Sequence, residues 1–321
     1  MVSRVTQQGL QQQTLRNLQS NLSRMSQLQQ QLSSGKSITK ASDDPAGMVD
    51  AMRIRSDQRA NAQHARNAGD GVGWLTTVDT ALQSSTALLT RARNLAVQGA
   101  NSGALGQTAR EAIATELRAT ADALREQANA QYLGRSVFAG TSGAGEAIRS
   151  GTSTQGAYSF TGTKDAAVMR RVSDNTTVRV DSDGGAVFGT GPWPNDSVTN
   201  LPMTPNAAAA ANVSVFALLE KAAEAISNRA GDVPEYLGAI DTRMDAMLSE
   251  IAASGTRYKQ VLQAQETIAS GKVTLQSQLT NVEDVDLAET IVQLKVQEIA
   301  YQSALNATSR ALQPSLLDFL R

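Results

Sequence analysis

Hydrophobic residues near the start of the chain recur at alternating steps of three and four residues. This spacing places them on one face of an α-helix and is typical of a coiled coil. The stripe is narrow, and Gln29 occupies one of its positions. Its apolar members are Leu15, Leu18, Leu22, Met25 and Leu32. The segment Ser33, Ser34 and Gly35 then predicts the end of this helix.

A second stripe with the same spacing lies near the other end of the chain, before Pro314, which cannot continue a regular helix. Its apolar members are Leu287, Ile291, Leu294, Tyr301, Leu305 and Leu312. Stripes this thin bury too little apolar surface to stabilise two helices by themselves. We therefore expect residues 1–40 and 281–321, which we name the terminal arms, to pack with neighbouring copies of the chain.

The longest pattern runs without proline from Ile240 to Val282, which indicates a continuous helix in a bundle or coiled coil. Two helices after Pro45, separated by the glycines at 69–73, and a third at about 107–132 offer partners for it. The second of these has a seam made of Leu75, Val78, Leu82, Ser85, Leu89, Ala92 and Ala96. The third carries Ile113, Leu117 and Leu124 on its apolar face.

Helical periodicity is absent between residues 134 and 204. Short alternating runs, "YSFTG", "AVMRRV", "TTVRV" and "AVFG", predict strands, and "SDN" and "DSDGG" predict turns. The fold class is therefore mainly α with a small β insertion. We expect a long antiparallel helical bundle or coiled-coil rod formed by both chain ends. Its rod domain comprises 41–133 and 205–280, and the β-rich outer domain is 134–204.

The stretch "LSSGKSITKASDDPAGM" at 32–48 has two interpretations. Adjacent carboxylates at Asp43 and Asp44 could form a metal site or an acid–base pair. Aspartate before Pro45 is also the usual start of a helix, where the carboxylate accepts backbone N–H groups. Because no convergent ligands are evident elsewhere, we interpret Ser42, Asp43, Asp44 and Pro45 as a helix cap and joint.

The remaining chemistry is sparse. The chain has no cysteine and one histidine, His64, in a polar helical stretch, so thiolate and His-rich metal sites are excluded. The glycines at 69–73 match no phosphate-binding pattern. A hydrolytic insertion is an alternative interpretation, and it would need a carboxylate or metal constellation between 134 and 204. The aspartates there, mostly in turn-like contexts, are Asp165, Asp174, Asp181 and Asp183. We predict no enzyme activity, no cofactor and no metal site.

Charge indicates what the arms contact. Residues 1–40 contain five bases and no acid, whereas 281–321 contain six acids and three bases, so the two ends are complementary. A transit peptide or a disordered tail is the alternative interpretation of the basic end. The net charge of −1 gives no general attraction to nucleic acid. Without an apolar run of about 20 residues or an apolar region near Met1, we expect neither membrane insertion nor an ordinary signal peptide.

Several motifs resemble the bacterial flagellins and their relatives. The N-terminal ones are "LSSGKSITKASDDPAGM", "ARNAGDGVGWLTTVDTALQ" and "NLAVQGANSG". The C-terminal one is "LTNVEDVDLAETIVQLKVQEIAYQSALNATSRALQPSLLDFLR". The resemblance covers about 1–133 and 205–321. Within that superfamily, the ending "ALQPSLLDFL" and the small β insertion are similar to the branch that joins hook to filament, with a flagellin filament subunit as the alternative.

This resemblance implies a structural, extracellular subunit of the bacterial flagellum. Such a subunit is exported unfolded by the flagellar type III export apparatus, and an export chaperone binds its C-terminal helix. The implied partners are further copies of itself, a hook-side hook-associated protein and flagellin. The resemblance also implies that the terminal helices form an inner tube of the axial structure, with the rod in the next shell and the β insertion outward. A cytosolic coiled-coil scaffold does not fit these motifs.

Overall fold

The computed structural model describes residues 2–101, 105–150, 158–163, 166–191, 193, 204–205, 212–228 and 233–312. Most of these residues are helical. The helices are α1 (Val2–Ser34), α2 (Pro45–Ala100), α3 (Gln107–Ala128), α4 (Gly184–Phe188), α5 (Val215–Ser227), α6 (Val233–Glu283) and α7 (Leu287–Leu312). The mainly helical class with a small β insertion is confirmed.

Six short strands lie between α3 and α4. They are β1 (Gln131–Tyr132), β2 (Arg135–Ser136), β3 (Ile148–Ser150), β4 (Tyr158–Phe160), β5 (Met169–Arg171) and β6 (Thr177–Arg179). Consecutive strands form antiparallel pairs, with Tyr132 opposite Arg135, Arg149 opposite Ser159 and Arg170 opposite Val178. The predicted strands in "YSFTG", "AVMRRV" and "TTVRV" are therefore confirmed.

The run "AVFG" was predicted as a strand, and that prediction is wrong, because the structure places it in helix α4. The carboxylate of Asp183 accepts hydrogen bonds from the backbone N–H groups of Gly185 and Ala186. A capped start of this kind favours a helical turn over an extended strand. The turn-like "DSDGG" sequence is thus the beginning of a helix.

The sequence analysis predicted that the glycines at 69–73 separate two helices. That prediction is wrong, because α2 runs through these glycines without a break. A Cβ atom on Gly71 would lie 3.3 Å from a methyl carbon of Val180, and one on Gly73 would overlap the ring of Tyr132. Glycine is therefore used here for close packing against the β region, and not for a turn.

The chain divides into two compact units. Unit 1 comprises residues 1–60 and 270–321, and unit 2 comprises residues 61–269. Unit 2 contains a closed hydrophobic core, in which α3 packs on α5. Its largest fully buried side chains include Trp74, Phe138, Phe188 and Phe216.

All seven residues of the predicted α2 seam are buried, and so are Leu117 and Leu124 on α3. Aromatic contacts add to this core: the rings of Phe138 and Phe188 meet edge to face at 5.1 Å. Unit 2 therefore has a core of its own, although single apolar side chains such as Leu133 and Leu248 are exposed on its surface. Unit 1 contains α1, the first part of α2, the last part of α6 and α7. The predicted site residues lie in this unit.

Candidate functional site

The loop after α1 pairs with the connector between α6 and α7. Gly35 ends α1 with a φ of 68°, a left-handed conformation that glycine adopts without strain. Its carbonyl accepts a hydrogen bond from the backbone N–H of Val285 at 3.1 Å, and the N–H of Ser37 donates to the carbonyl of Glu283 at 2.6 Å. Backbone hydrogen bonds thus connect the loop after α1 to the connector between α6 and α7. From here on, the joint means this loop, residues 35–45, together with that connector.

Asp43 and Asp44 act on different parts of the joint. The carboxylate of Asp43 accepts hydrogen bonds from the Thr39 hydroxyl and from the backbone N–H of Lys40, both at 2.9 Å. The bond from Thr39, followed by the one from Lys40, lowers the pKa of Asp43 below its ordinary value. Asp44 accepts from the backbone N–H of Ala46 at 3.1 Å, directly before α2 begins at Pro45.

These contacts use both carboxylates for backbone and hydroxyl groups within the loop. Ser42 is exposed beside them. In the ranges that the structure describes, no three His, Asp or Glu side chains lie close enough together to hold a metal ion. The geometry at 42–45 therefore suits the start of a helix.

Glu283 is the charged centre of the joint and was not singled out from the sequence. Its side chain is nearly buried, and its carboxylate lies 2.8 Å from Nζ of Lys36 and 2.7 Å from a guanidinium nitrogen of Arg55. Burial raises the pKa of Glu283, but the contacts with Lys36 and then Arg55 outweigh it, so the net pKa is lowered. Glu283 therefore links the loop after α1, the start of α2 and the end of α6 as a carboxylate.

Helices α1 and α7 pack antiparallel and form the terminal helix pair. The side-chain amide of Gln297 donates to the carbonyl of Asn21 across the pair at 3.3 Å. The inward positions of α1 are Thr14, Leu18, Asn21, Met25, Leu28 and Leu32. Those of α7 are Thr290, Leu294, Gln297, Tyr301, Ala304 and Thr308.

The inward face differs from the predicted stripe by one residue at every second position. Leu18, Met25 and Leu32 are inward as predicted, but Leu28 takes the place of Gln29. A period of 3.6 residues brings either of two consecutive residues near the axis of contact, so spacing alone does not decide between them. In this chain the inward choice is often the smaller or more polar residue.

The leucines and isoleucine left out of this face form one exposed surface. We name it the side strip, and its members, between 43% and 58% exposed, are Leu15, Leu22, Leu287, Ile291 and Leu305. The side chain of Leu312 lies outside the described part of the structure. The structure therefore divides the predicted interface residues between the inward face and the side strip.

A second exposed surface, which we name the back strip, was not predicted from the sequence. It consists of Val292, Val296 and Ile299 on α7, which are 60–64% exposed. Their steps of four and three residues are the signal that could have revealed them. They were not predicted because they lie between the residues of the predicted stripe on this helix.

The carboxylates considered for an enzyme site do not converge. Asp181 is buried against the guanidinium of Arg179 at 2.9 Å and accepts the backbone N–H of Val168. Asp174 is exposed at a turn, 3.2 Å from Nε2 of His64. Asp183 caps α4, and Asp165 lies outside the described residues. These side chains support the local fold, each in a different place.

None of the helices in the described ranges has both the length and the apolar composition that crossing a membrane requires. Within unit 1, the terminal helix pair carries two exposed apolar surfaces, the side strip and the back strip. Contiguous exposed apolar surface of this kind is a feature of interaction sites.

Comparisons with known proteins give the family. The bacterial flagellin N-terminal helical region matches residues 5–143, and the flagellin C-terminal helical region matches residues 237–320. The chain belongs to the bacterial flagellin family. It is 26% identical to the flagellin of Bacillus subtilis over 96% of both chains. Matches to flagellins of Vibrio species cover 55% or less of those proteins.

Solved structures with the same fold include flagellar hook-associated proteins. One, a flagellar hook-associated protein from Vibrio parahaemolyticus, matches with a TM-score of 0.61 and 21% identity, over 75% of this chain and all of that one. Another, the flagellar junction protein FlgL from Legionella pneumophila, has a TM-score of 0.56 and 14% identity, over 73% of this chain and all of that one. These similarities establish a shared fold.

Proposed function

We propose that the chain is a structural subunit of the bacterial flagellum that connects the hook to the flagellin filament. The observation that carries this proposal is the fold shared with hook-associated and junction proteins, each covered along its whole length. Because the chain belongs to the flagellin family, the assembly in which it acts is the flagellum. The role is mechanical, without catalysis.

The open surfaces of unit 1 support an assembly role. The terminal arms, 1–40 and 281–321, make the contacts between copies through their exposed apolar residues, while the inward residues hold α1 and α7 together. The segments 41–133 and 205–280, with the insertion 134–204, form the part that folds by itself. The burial of the α2 seam and the packing of α3 on α5 support this division into an assembling part and a separately folding part.

The partners follow from the junction role. On one side the chain contacts a hook-side hook-associated protein, and on the other it contacts flagellin. It reaches the extracellular tip through the flagellar type III export apparatus, escorted by an export chaperone. The exposed apolar residues of α7 support an escort of this kind, because such a surface needs cover before assembly.

Deletion of the gene tests the junction role. We expect cells that retain hooks, lack filaments and release flagellin into the medium, because the filament has no base on which to grow. Electron microscopy of the cells and an immunoblot of the medium for flagellin measure both outcomes. Filaments of normal number and length in the deletion strain would contradict the proposal.

A filament subunit is the second candidate, favoured by the match to the Bacillus subtilis flagellin over almost the whole of both chains. Immunogold labelling of a tagged chain separates the two. A junction protein gives label only where the hook meets the filament. Label along the whole filament would establish the filament subunit instead.

A further inference from the structure

Each helix of the terminal helix pair carries two alternative inward faces, the observed one and the stripe predicted from the sequence. On α1 the two faces share every second position, and the shared residues are Leu18, Met25 and Leu32. At the positions between them, the structure turns inward the residue that directly precedes the one in the predicted stripe. The pairs of neighbours concerned are Thr14 and Leu15, Asn21 and Leu22, and Leu28 and Gln29.

Helix α7 shows the same duplication, with Leu294 and Tyr301 common to both faces. Its pairs of neighbours are Thr290 and Ile291, Gln297 and Glu298, and Ala304 and Leu305. One residue is a step of about 100° around a helix, and only every second position changes, so the two faces lie about 50° apart. A rotation of each helix by about 50° would therefore exchange one face for the other.

The two rotations fit together. Because α1 and α7 are antiparallel and each predicted stripe follows the observed face in chain order, both stripes lie toward the same side of the pair. Turning both inward rotates the helices in opposite senses, like two meshed gears. Starting from the contact between Asn21 and Gln297, Leu15 and Leu305 lie in the same direction at heights that differ by about 3 Å. The predicted stripes would thus meet without a long slide along the axis.

Each packing has a defect that the other lacks. The observed one satisfies polar inward groups, since the hydroxyls of Thr290 and Thr308 donate to carbonyls of their own helix. It leaves four large side chains at least 43% exposed, namely Leu15, Leu22, Ile291 and Leu305. The second packing would bury these four, but it would bring Gln29 and the carboxylate of Glu298 into the contact at a cost in desolvation. Opposing contributions of this kind leave two packings of one sequence close in free energy.

The joint distinguishes the two faces, because it fixes the rotation of both helices at one end of the pair. In the last turn of α1, the side-chain amide of Gln31 donates to the carbonyl of Ser37 at 2.9 Å. The carbonyl of Gly35 accepts from the backbone N–H of Val285, directly before α7, at 3.1 Å. The buried carboxylate of Glu283 holds this loop through its two cationic partners. A rotation fixed here is carried along both helices.

We propose that the terminal helix pair has a second packing, in which α1 and α7 are counter-rotated by about 50° and the predicted stripes face each other, and that the joint holds the pair in the observed packing. While the joint is closed, the side strip stays on the surface. When the joint opens, counter-rotation turns the side strip inward. This device belongs to a single chain and goes beyond the proposed function.

Two pairs of cysteines, one position apart, report the two packings, and the chain has no cysteine of its own. T14C with A304C lies across the observed packing, and L15C with L305C lies across the second one. The rate of intrachain disulfide formation is measured by mass spectrometry on dilute, purified full-length chain. T14C/A304C should close faster. With Glu283→Gln added, the rate of L15C/L305C should rise about tenfold, and that of T14C/A304C should fall.

Controls separate counter-rotation from loss of the helix pair. Ser20 and Val296 are exposed and lie away from both faces, so S20C with V296C should close slowly in every background. Glu289→Gln, at an exposed position of α7, should leave all three rates unchanged. An unchanged rate of L15C/L305C in Glu283→Gln would overturn the proposal. An equal rise for S20C/V296C would overturn it too, because the helices would then separate instead of rotating.

A second background tests the second packing with the joint intact. Gln29→Leu combined with Glu298→Leu makes the predicted stripes apolar at both of their polar positions. We expect L15C/L305C to close faster than T14C/A304C in this background, which is the reverse of the order in the parent chain. T14C/A304C remaining the faster pair there would show that α1 and α7 have no second packing.

Discussion

The α2 seam of unit 2 and the terminal helix pair of unit 1 are built on the same heptad spacing, but they bury it to different extents. Every residue of the α2 seam from Leu75 to Ala96 is almost fully covered. In the terminal pair only Leu28 and Thr290 are covered to that extent among the inward residues, and eight large apolar side chains of α1 and α7 are at least 43% exposed.

The difference is in what stands at the inward positions. Unit 2 places Trp, Phe, Leu and Val inside, and full burial of one such side chain contributes about 1.5–3 kcal/mol. The terminal pair places Thr14, Asn21 and Gln297 inside and leaves leucine, valine and isoleucine outside. One spacing thus produces a core where the inward set is apolar and an association surface where it is partly polar.

The largest effect is expected in unit 2. Leu89→Ala removes a fully buried side chain and should lower the free energy of unfolding by about 2–5 kcal/mol. Urea unfolding followed by circular dichroism measures it. The matched control is Leu133→Ala, at a position 80% exposed, which should change stability by no more than about 0.5 kcal/mol. Equal losses would mean that the α2 seam is not a core.

A charge on the inward face of the terminal pair separates the two regions. Leu294→Asp puts a carboxylate into a half-buried contact and should destabilise the α1–α7 pair by about 2–3 kcal/mol, while the unfolding of unit 2 stays unchanged. Hydrogen exchange resolved along the chain measures both. Loss of protection in α3 and α5 would show that the two units are not separate in stability.

The joint should depend on the charge of Glu283. Glu283→Gln leaves Lys36 and Arg55 without their carboxylate and should weaken the joint by about 1–3 kcal/mol. Tryptic cleavage after Lys36 and Lys40, followed by mass spectrometry, should become faster. Glu289→Gln is the control, because Glu289 is exposed and accepts from the side chain of Gln293 alone among the hydrogen bonds described for its carboxylate. Unchanged cleavage in Glu283→Gln would show that the carboxylate of Glu283 does not stabilise the joint.

The same carboxylate predicts how the joint responds to acid. Since the pKa of Glu283 is lower in the folded chain, its stabilisation is complete above the ordinary glutamate value of about 4.3 and is lost as pH falls below it. Cleavage by an acid-active protease such as pepsin at 32–48 should therefore rise below pH 4 in the wild type. In Glu283→Gln this rise should be smaller.

The smallest effects come from two helical glycines. Gly255 is exposed on α6 with no atom near its missing Cβ, so Gly255→Ala should stabilise the chain by about 0.5–1 kcal/mol. Gly73→Ala meets the ring of Tyr132 and should destabilise it instead. Thermal unfolding gives both signs. A stabilising Gly73→Ala would show that α2 packs more loosely on the β region than the structure indicates.

Periodicity was sufficient for the long helices and the α2 seam, because strong apolar seams leave one choice of inward face. It failed at the glycines of α2, where a neighbour across the fold, Tyr132, decides whether glycine turns or packs. It also failed at "AVFG", where the Asp183 cap outweighs β propensity. In the terminal pair the inward register could not be read, because leucines stand beside the polar residues that face the partner helix.

The most direct test of the central claim uses Leu305→Asp, a change on the side strip that leaves the inward face intact. The amount of tagged chain in isolated flagella is measured beside the thermal unfolding of the purified variant. We expect the variant to unfold like the wild type and to be almost absent from the flagella. Normal incorporation of a normally folded Leu305→Asp chain would contradict the claim that these exposed residues serve assembly.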